Sequence, residues 1–164
     1  MADEIGFHDF VVGRSPSLLR TAYLLMQDEG LAEDLLQTAL TKAWFAWGRV
    51  KEPEPYVRRI MVNTSVTWWR RRWIRETPTA ELPEHSDIAG PPDGRQDLWV
   101  ALGHLPPRQR AVVVLRYLED RTEVETAHLL DCSVSTVKSQ AAKALAKLRI
   151  DASVALVPDE RSTR

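Results

Sequence analysis

Cysteine is almost absent. Cys132 stands alone in a chain of 164 residues, which excludes an internal disulfide and a cysteine-based metal cluster. Histidine is scarce as well. His8, His85, His104 and His128 are scattered and show no ligand spacing such as His-Glu-x-x-His, so no metal and no other cofactor is expected. No run of about 18 uncharged apolar residues exists, which leaves no membrane-spanning helix. The segment from Met1 to Phe10 is acidic and lacks the basic and apolar regions of a signal peptide. The expectation is a cytoplasmic chain. No constellation of nucleophile, base and metal ligands stands out, so neither catalysis nor a small-molecule substrate is expected.

Net charge is nearly absent too, at −1, but the balance is local. Arg58, Arg59, Arg70, Arg71, Arg72 and Arg75 crowd one segment in which Glu76 alone opposes them. Between residues 81 and 97 the sign reverses, with Glu81, Glu84, Asp87, Asp93 and Asp97 against Arg95. The basic part suits a polyanion, and the acidic part repels one.

Helical periodicity dominates what remains. A first helix is expected from about Phe7 to Gln27, with Ser15-Pro16 either kinking it or starting a fresh segment. A second is expected from about Leu31 to Trp47, with Glu33 and Asp34 in its first turn and Gly48 as its stop. A third begins near Pro53 or Pro55 and runs to about Trp73. From Thr77 to Gly94 four prolines, two glycines and the acidic residues break every pattern, as a linker does. Helices then resume at about Gln96 to His104, from Pro106-Pro107 onward, at Glu123 to Leu130 and at Val134 to Ile150. The run Val112-Val113-Val114-Leu115 reads as helix because of its proline start and its helical neighbours. The fold class is therefore all-α, as two small helical domains joined by a flexible, acidic, proline-rich linker. The boundaries are 1–76 for the first domain, 77–95 for the linker, 96–152 for the second domain and 153–164 for a frayed tail.

The second domain carries a helix-turn-helix pattern. Thr122 and Glu125 have capping-box spacing, and Ser133 is a good N-cap after the short break Asp131-Cys132-Ser133. Val134, Val137, Ala141, Leu145 and Leu148 form an inward stripe. The opposite side presents Ser135, Thr136, Lys138, Ser139, Gln140, Lys143 and Lys147. Short hydroxyls at the start of such a helix suit base edges, and lysines further along suit phosphates. The same face also fits a solvated surface in a small bundle. Ala127 favours the motif, because two close helices crossing need a small side chain there. Cys132 reads as a small packed turn residue.

In the first domain, residues 56–73 form a helix with two apolar strips. Val57, Ile60, Met61 and Trp68 make one, and Val62, Val66, Trp69 and Trp73 the other. Tyr56, Arg59, Asn63, Thr67 and Arg70 lie between them. A helix gripped on both flanks presents such a stripe, which can bind phosphate, hydrogen-bond a base edge and stack on an unpaired base. Most of the tryptophans read as core, whereas Arg70-Arg71-Arg72 circles the helix and reads as nucleic-acid contact. On the second helix, Leu35, Leu36, Ala39, Leu40, Ala43, Trp44 and Phe45 make an apolar sector edged by Glu33, Asp34 and Gln37. That sector fits a partner-binding surface or a helix buried on two sides of its own domain.

These residues, in this order, resemble the extracytoplasmic-function group of bacterial sigma factors, over about Phe7 to Ile150. Ala32-Glu33-Asp34-Leu35-Leu36-Gln37 resembles the family's region 2.2, which implies that Glu33, Asp34, Leu36, Gln37 and Leu40 bind RNA polymerase at the β′ clamp helices. Tyr56 to Thr64 with Trp68-Trp69-Arg70-Arg71-Arg72 is similar to regions 2.3 and 2.4. This implies −10 element contacts by Tyr56, Arg59, Asn63, Thr67, Arg70, Arg71 and Arg72, with Asn63 at a flipped-out base and residues 48–54 forming the pocket around it. Leu105-Pro106-Pro107-Arg108-Gln109-Arg110 resembles the start of region 4, and Ser133 to Gln140 its −35 recognition helix.

The implied partners are core polymerase, through the β′ clamp helices and the β flap, and promoter DNA; an anti-sigma factor is a further partner class. The acidic linker would follow the polymerase's RNA exit path and mimic nucleic acid there. The chain departs from the family at Ser135, where glycine is common, at Gln140, where arginine is common, and at Asp131, where glycine is usual in the turn. Its last helix also has fewer arginines, and the Gln140 form resembles an actinobacterial subgroup. Lysine does not reproduce the bidentate geometry of arginine on guanine, which bears on base preference at −35. Two other readings remain on the residues alone: a stand-alone helix-turn-helix regulator, and a helical adaptor that binds protein and not DNA.

Overall fold

The computed structural model describes residues 2–76 and 96–155, with side-chain surroundings given for 3–72 and 97–149. The expected linker and the end of the expected tail lie outside the described residues, as does the side chain of Trp73. All the described regular structure is helical: α1 (Ala2–Met26), α2 (Glu29–Ala46), a 3₁₀ turn (Trp47–Arg49), α3 (Pro53–Glu76), α4 (Gln96–Gly103), α5 (Pro107–Val113) continuing as a π turn (Val114–Leu118), α6 (Glu123–Leu130) and α7 (Val134–Ala155).

Local chemistry sets the ends of these helices. α1 starts earlier than expected and runs through Pro16 without a new start. α2 begins at Glu29 because the Asp28 side chain caps it, accepting from the Leu31 N–H at 2.8 Å. Glu29 therefore takes the first turn, and Glu33 and Asp34 fall one turn later than expected. Gly48 does not end α2 in a left-handed cap, since the chain tightens into the 3₁₀ turn instead. The valine-rich run of α5 is helical, and Pro107 opens it at a position that needs no N–H.

α1, α2 and α3 pack as one unit, and α4 to α7 as another. A single apolar cluster runs through both. It joins Leu18, Leu25, Leu35, Met61, Val62 and Trp69 of the first to Val112, Leu115, Leu129, Leu130 and Val137 of the second. A smaller cluster around Leu102, Leu105, Val113 and Ala144 belongs to the second unit alone.

Candidate nucleic-acid interface

α3 carries its two apolar strips inward much as the periodicity requires. Val57, Met61, Val62, Val66 and Trp69 are buried, and Ile60 and Trp68 are half-buried. Of the polar stripe, Thr67, Arg70 and Arg71 are exposed, while Tyr56, Arg59, Asn63 and Arg72 are half-buried. The Thr67 hydroxyl donates back to the Asn63 carbonyl at 3.1 Å. Arg72 lies over the Trp69 ring, 5.5 Å from its centroid. Arg58 belongs to the same basic run in sequence but is only 4% exposed and sits on the inner side of the helix.

The helix-turn-helix forms through the expected caps. Thr122 Oγ1 accepts from the Glu125 N–H at 3.0 Å, and Ser133 Oγ accepts from the Thr136 N–H at 3.1 Å. α6 ends with Asp131 in the left-handed region, at φ 56°, and the Cys132 N–H reaches back to the Ala127 carbonyl at 3.0 Å. Ala127 is buried, and Cys132 is half-buried against the core. Val137, Ala141 and Ala144 fix α7, with Val134, Leu145 and Leu148 half-buried beside them. Ser135, Lys138, Ser139, Lys143 and Lys147 are exposed on the outer face, with Thr136 and Gln140 at its margin.

The two units meet at the stripe itself. Asn63 Nδ2 donates to the Arg59 carbonyl and to the Leu129 carbonyl of α6, both at 2.8 Å. Arg59 Nη2 lies 3.1 Å from Asp131 Oδ1 in the helix-turn-helix turn. Arg58 Nη1 donates to Glu119 at 2.8 Å and to the Thr21 hydroxyl at 2.8 Å, and Thr21 also bonds Glu119. A cleft of about 510 Å³ opens between Arg49, Val50, Lys51 and Glu52, Tyr56 and Arg59 of α3, and His128 of α6. The 48–54 loop thus does border a pocket, beside Tyr56 and Arg59. Asn63, one turn further along α3, points to α6. Charge and periodicity could not reveal this meeting, because its partners come from residues 58–63 and 119–131.

Comparison with known proteins now decides between the readings. Residues 11–75 match sigma-70 region 2, and residues 95–148 match sigma-70 region 4. The chain is 41% identical over 154 residues to the RNA polymerase sigma-E factor of Streptomyces coelicolor, covering 91% of this chain and 87% of that protein. It belongs to the sigma-70 family of RNA polymerase sigma factors. The RNA polymerase sigma factor SigV of Bacillus subtilis is 29% identical over 138 residues, 80% of this chain and 81% of that one. Among solved structures, the sigma factor RpoE in complex with the anti-sigma factor NepR from Bartonella quintana superposes with a TM-score of 0.68, at 24% identity, over 91% of this chain and 98% of that one. CnrH in complex with the cytosolic domain of CnrY gives 0.62 at 22% identity, over 90% of this chain and 87% of that one. The chain is a sigma factor of the extracytoplasmic-function type, acting in promoter-specific transcription initiation.

On this sigma factor, α2 sorts its expected contact residues into two groups. Glu33, Asp34 and Gln37 are exposed, whereas Leu36 and Leu40, each 7% exposed, belong to the core cluster. The apolar sector does leave the core further on, where Trp44 is 40% and Phe45 79% exposed.

The sigma factor also holds a buried cation that sequence reasoning did not single out. Arg110 donates to the carbonyls of Leu102 (2.8 Å), Leu25 (3.0 Å), Gly103 (3.0 Å) and Leu105 (3.3 Å), with its guanidinium 4.4 Å from the Trp69 ring centroid. Leu25 and Leu102–Gly103 close α1 and α4, so one charge satisfies the negative ends of two helices from different units. Burial pulls its pKa down to about 10, which still leaves it charged at neutral pH. Beside it, Gln27 Nε2 donates to the Trp99 carbonyl at 2.7 Å, and a Cβ on Gly103 would meet Gln27 Oε1 at 2.6 Å. A side chain at Gly103 would therefore require the Gln27 amide to shift.

Proposed function

We propose that residues 1–76 bind core polymerase and the −10 element, that 77–95 link the domains, and that 96–152 read the −35 element as duplex. The observation that carries this is the pairing of two differently built polar faces on one chain. The outer face of α7 has small hydroxyls first and lysines after, the order a major-groove helix needs. The stripe of α3 has Arg70 and Arg71 exposed beside Thr67, Asn63 and Tyr56, which suits splayed bases and a single-strand backbone. Ser135, Lys138, Ser139, Lys143 and Lys147 make the duplex contacts, with Thr136 and Gln140 flanking them. Capturing unpaired bases better than paired ones shifts promoter DNA toward the open state.

Glu33, Asp34 and Gln37 supply the polar contacts to the β′ clamp helices. Leu36 and Leu40 act by holding α2 in place, and exposed Phe45 continues the docking surface. The second domain docks on the β flap. The chain acts in the cytoplasm and performs no catalysis of its own. An anti-sigma factor is a natural partner, as it is for the Bartonella protein.

Run-off transcription from reconstituted holoenzyme, read by sequencing, tests this. Discrete start sites sharing two spaced elements are expected. Lys143→Ala with Lys147→Ala should weaken recognition of the upstream element, and Asn63→Ala should impair the downstream one. Starts that are independent of both sets of variants would refute the assignment.

A further inference from the structure

A second cleft, of about 510 Å³, is lined by helices of the first domain alone. Met26 at the end of α1, Leu31 and Asp34 on the first turns of α2, and Trp68, Trp69, Arg71 and Arg72 on the later turns of α3 surround it. Its volume lies in the range that holds a small ligand. The two indoles are not equivalent. Trp69 is buried, donates to the Leu25 carbonyl at 3.0 Å and lies against the guanidiniums of Arg110 and Arg72. Trp68 is half-buried and has no ring or cation partner among the described residues. Arg71 and Arg72 follow it at helical i+3 and i+4 spacing, so both neighbour it on the surface of α3. On the α2 side, Asp34 is exposed and has no ion-pair partner among the described residues.

The geometry points to a binding site for a free guanine nucleotide in this cleft. Each part of that ligand meets its own chemistry. The flat base stacks on the Trp68 indole, with Met26 and Leu31 supplying apolar contact. Arg71 and Arg72 take the phosphates, whose oxygens a guanidinium engages as a planar fork. Asp34 selects the base. Guanine carries two N–H donors side by side, on N1 and on its 2-amino group, and one carboxylate accepts from both. Adenine and cytosine set a ring acceptor beside their amino group, which the carboxylate repels. The same base and phosphate also occur in a single strand, but Asp34 repels a phosphodiester backbone that runs on past the base. Asp34 and Arg71 also figure in the polymerase and DNA contacts proposed above. The nucleotide site does not rest on those contacts, since all its parts belong to the chain alone.

Titration calorimetry on the full-length chain with GTP, ATP, guanosine and xanthosine triphosphate tests this. GTP should bind saturably, about tenfold more tightly than ATP or guanosine. Asp34→Asn turns one acceptor into a donor and so matches xanthine, which has a carbonyl where guanine has its 2-amino group. This variant should lose the preference for GTP and bind xanthosine triphosphate about tenfold more tightly than the unsubstituted chain does. Arg71→Ala should weaken GTP about fivefold and leave guanosine unchanged. Trp68→Ala should weaken both about tenfold, with circular dichroism confirming that the variants remain folded. Absence of saturable GTP binding, equal binding of GTP and ATP, or an Asp34→Asn chain that gains nothing for xanthosine triphosphate overturns the site. Oligothymidylate carrying a single guanine separates the free nucleotide from the strand, and it should bind no better than plain oligothymidylate. A guanine preference there that Asp34→Asn abolishes overturns the free nucleotide as occupant.

Discussion

Arg58 Nη1 reaches both carboxylate oxygens of Glu119, at 2.8 and 3.1 Å, and this ion pair ties the first domain to the second from beneath the DNA-facing stripe. Arg58 therefore contributes nothing to a polyanion surface, although in sequence it stands beside Arg59 in the basic run. Its second nitrogen is held by Glu54 at 3.3 Å and Ser17 at 3.2 Å, so the buried charge keeps partners on its own side.

Glu119→Gln should lower unfolding stability by about 2 kcal/mol, less than the full cost of stripping a partner from a buried charge because Glu54 remains. Replacing the pair by Arg58→Met with Glu119→Leu should recover most of that loss. Urea denaturation of the two variants checks both values, and a double replacement as damaging as the single one would contradict them.

Arg110→Lys should cost about 2 kcal/mol, because an ammonium cannot span four carbonyls that a planar fork satisfies together. Since those carbonyls close one helix from each unit, the loss should also show as faster amide hydrogen exchange at the ends of both α1 and α4.

The alkaline limb of stability should depend on Tyr23. Burial, reinforced by Glu29 and then Asp28, raises its phenol above 10.0, and its ring lies 4.5 Å from that of Trp99. The folded state thus binds the phenolic proton more tightly than the unfolded state does. The resulting stability is present in full below pH 10 and is lost as pH rises through the raised value. Tyr23→Phe should flatten that part of the stability curve, as measured by denaturant midpoints across the alkaline range.

Replacing Arg70, Arg71 and Arg72 by alanine should weaken promoter binding by the holoenzyme and reduce its salt dependence, since each lost phosphate contact removes a released counterion. Arg70 and Arg71, which are exposed, should account for most of the change, and Arg72, lying over Trp69, for less. Binding titrations across a salt series separate the three.

Much of this was legible in the sequence. The caps at Thr122 and Ser133, the buried strips of α3 and the outward lysines of α7 all follow from short-range rules, because capping and amphipathicity involve neighbours within a few positions. Asp28 was missed as the cap of α2 because Leu31 opens the apolar period and draws attention from the polar residue before it. Leu36 and Leu40 lie on the face toward the core, the second of the two arrangements that the wide apolar sector of α2 left open. The pairs Arg58–Glu119, Arg59–Asp131 and Asn63–Leu129 join positions more than 60 residues apart across the linker. A single sequence carries no signal for such pairs. The one local sign was Asp131, a carboxylate where the family usually has glycine.

The most direct measurement is permanganate reactivity of unpaired thymines at the −10 element, in complexes of promoter DNA with wild-type and Asn63→Ala holoenzyme. Loss of one captured base should reduce open-complex reactivity about tenfold, while the protection of the −35 element by α7 persists. Equal reactivity in the two holoenzymes would contradict the assignment of α3 as the single-strand reader.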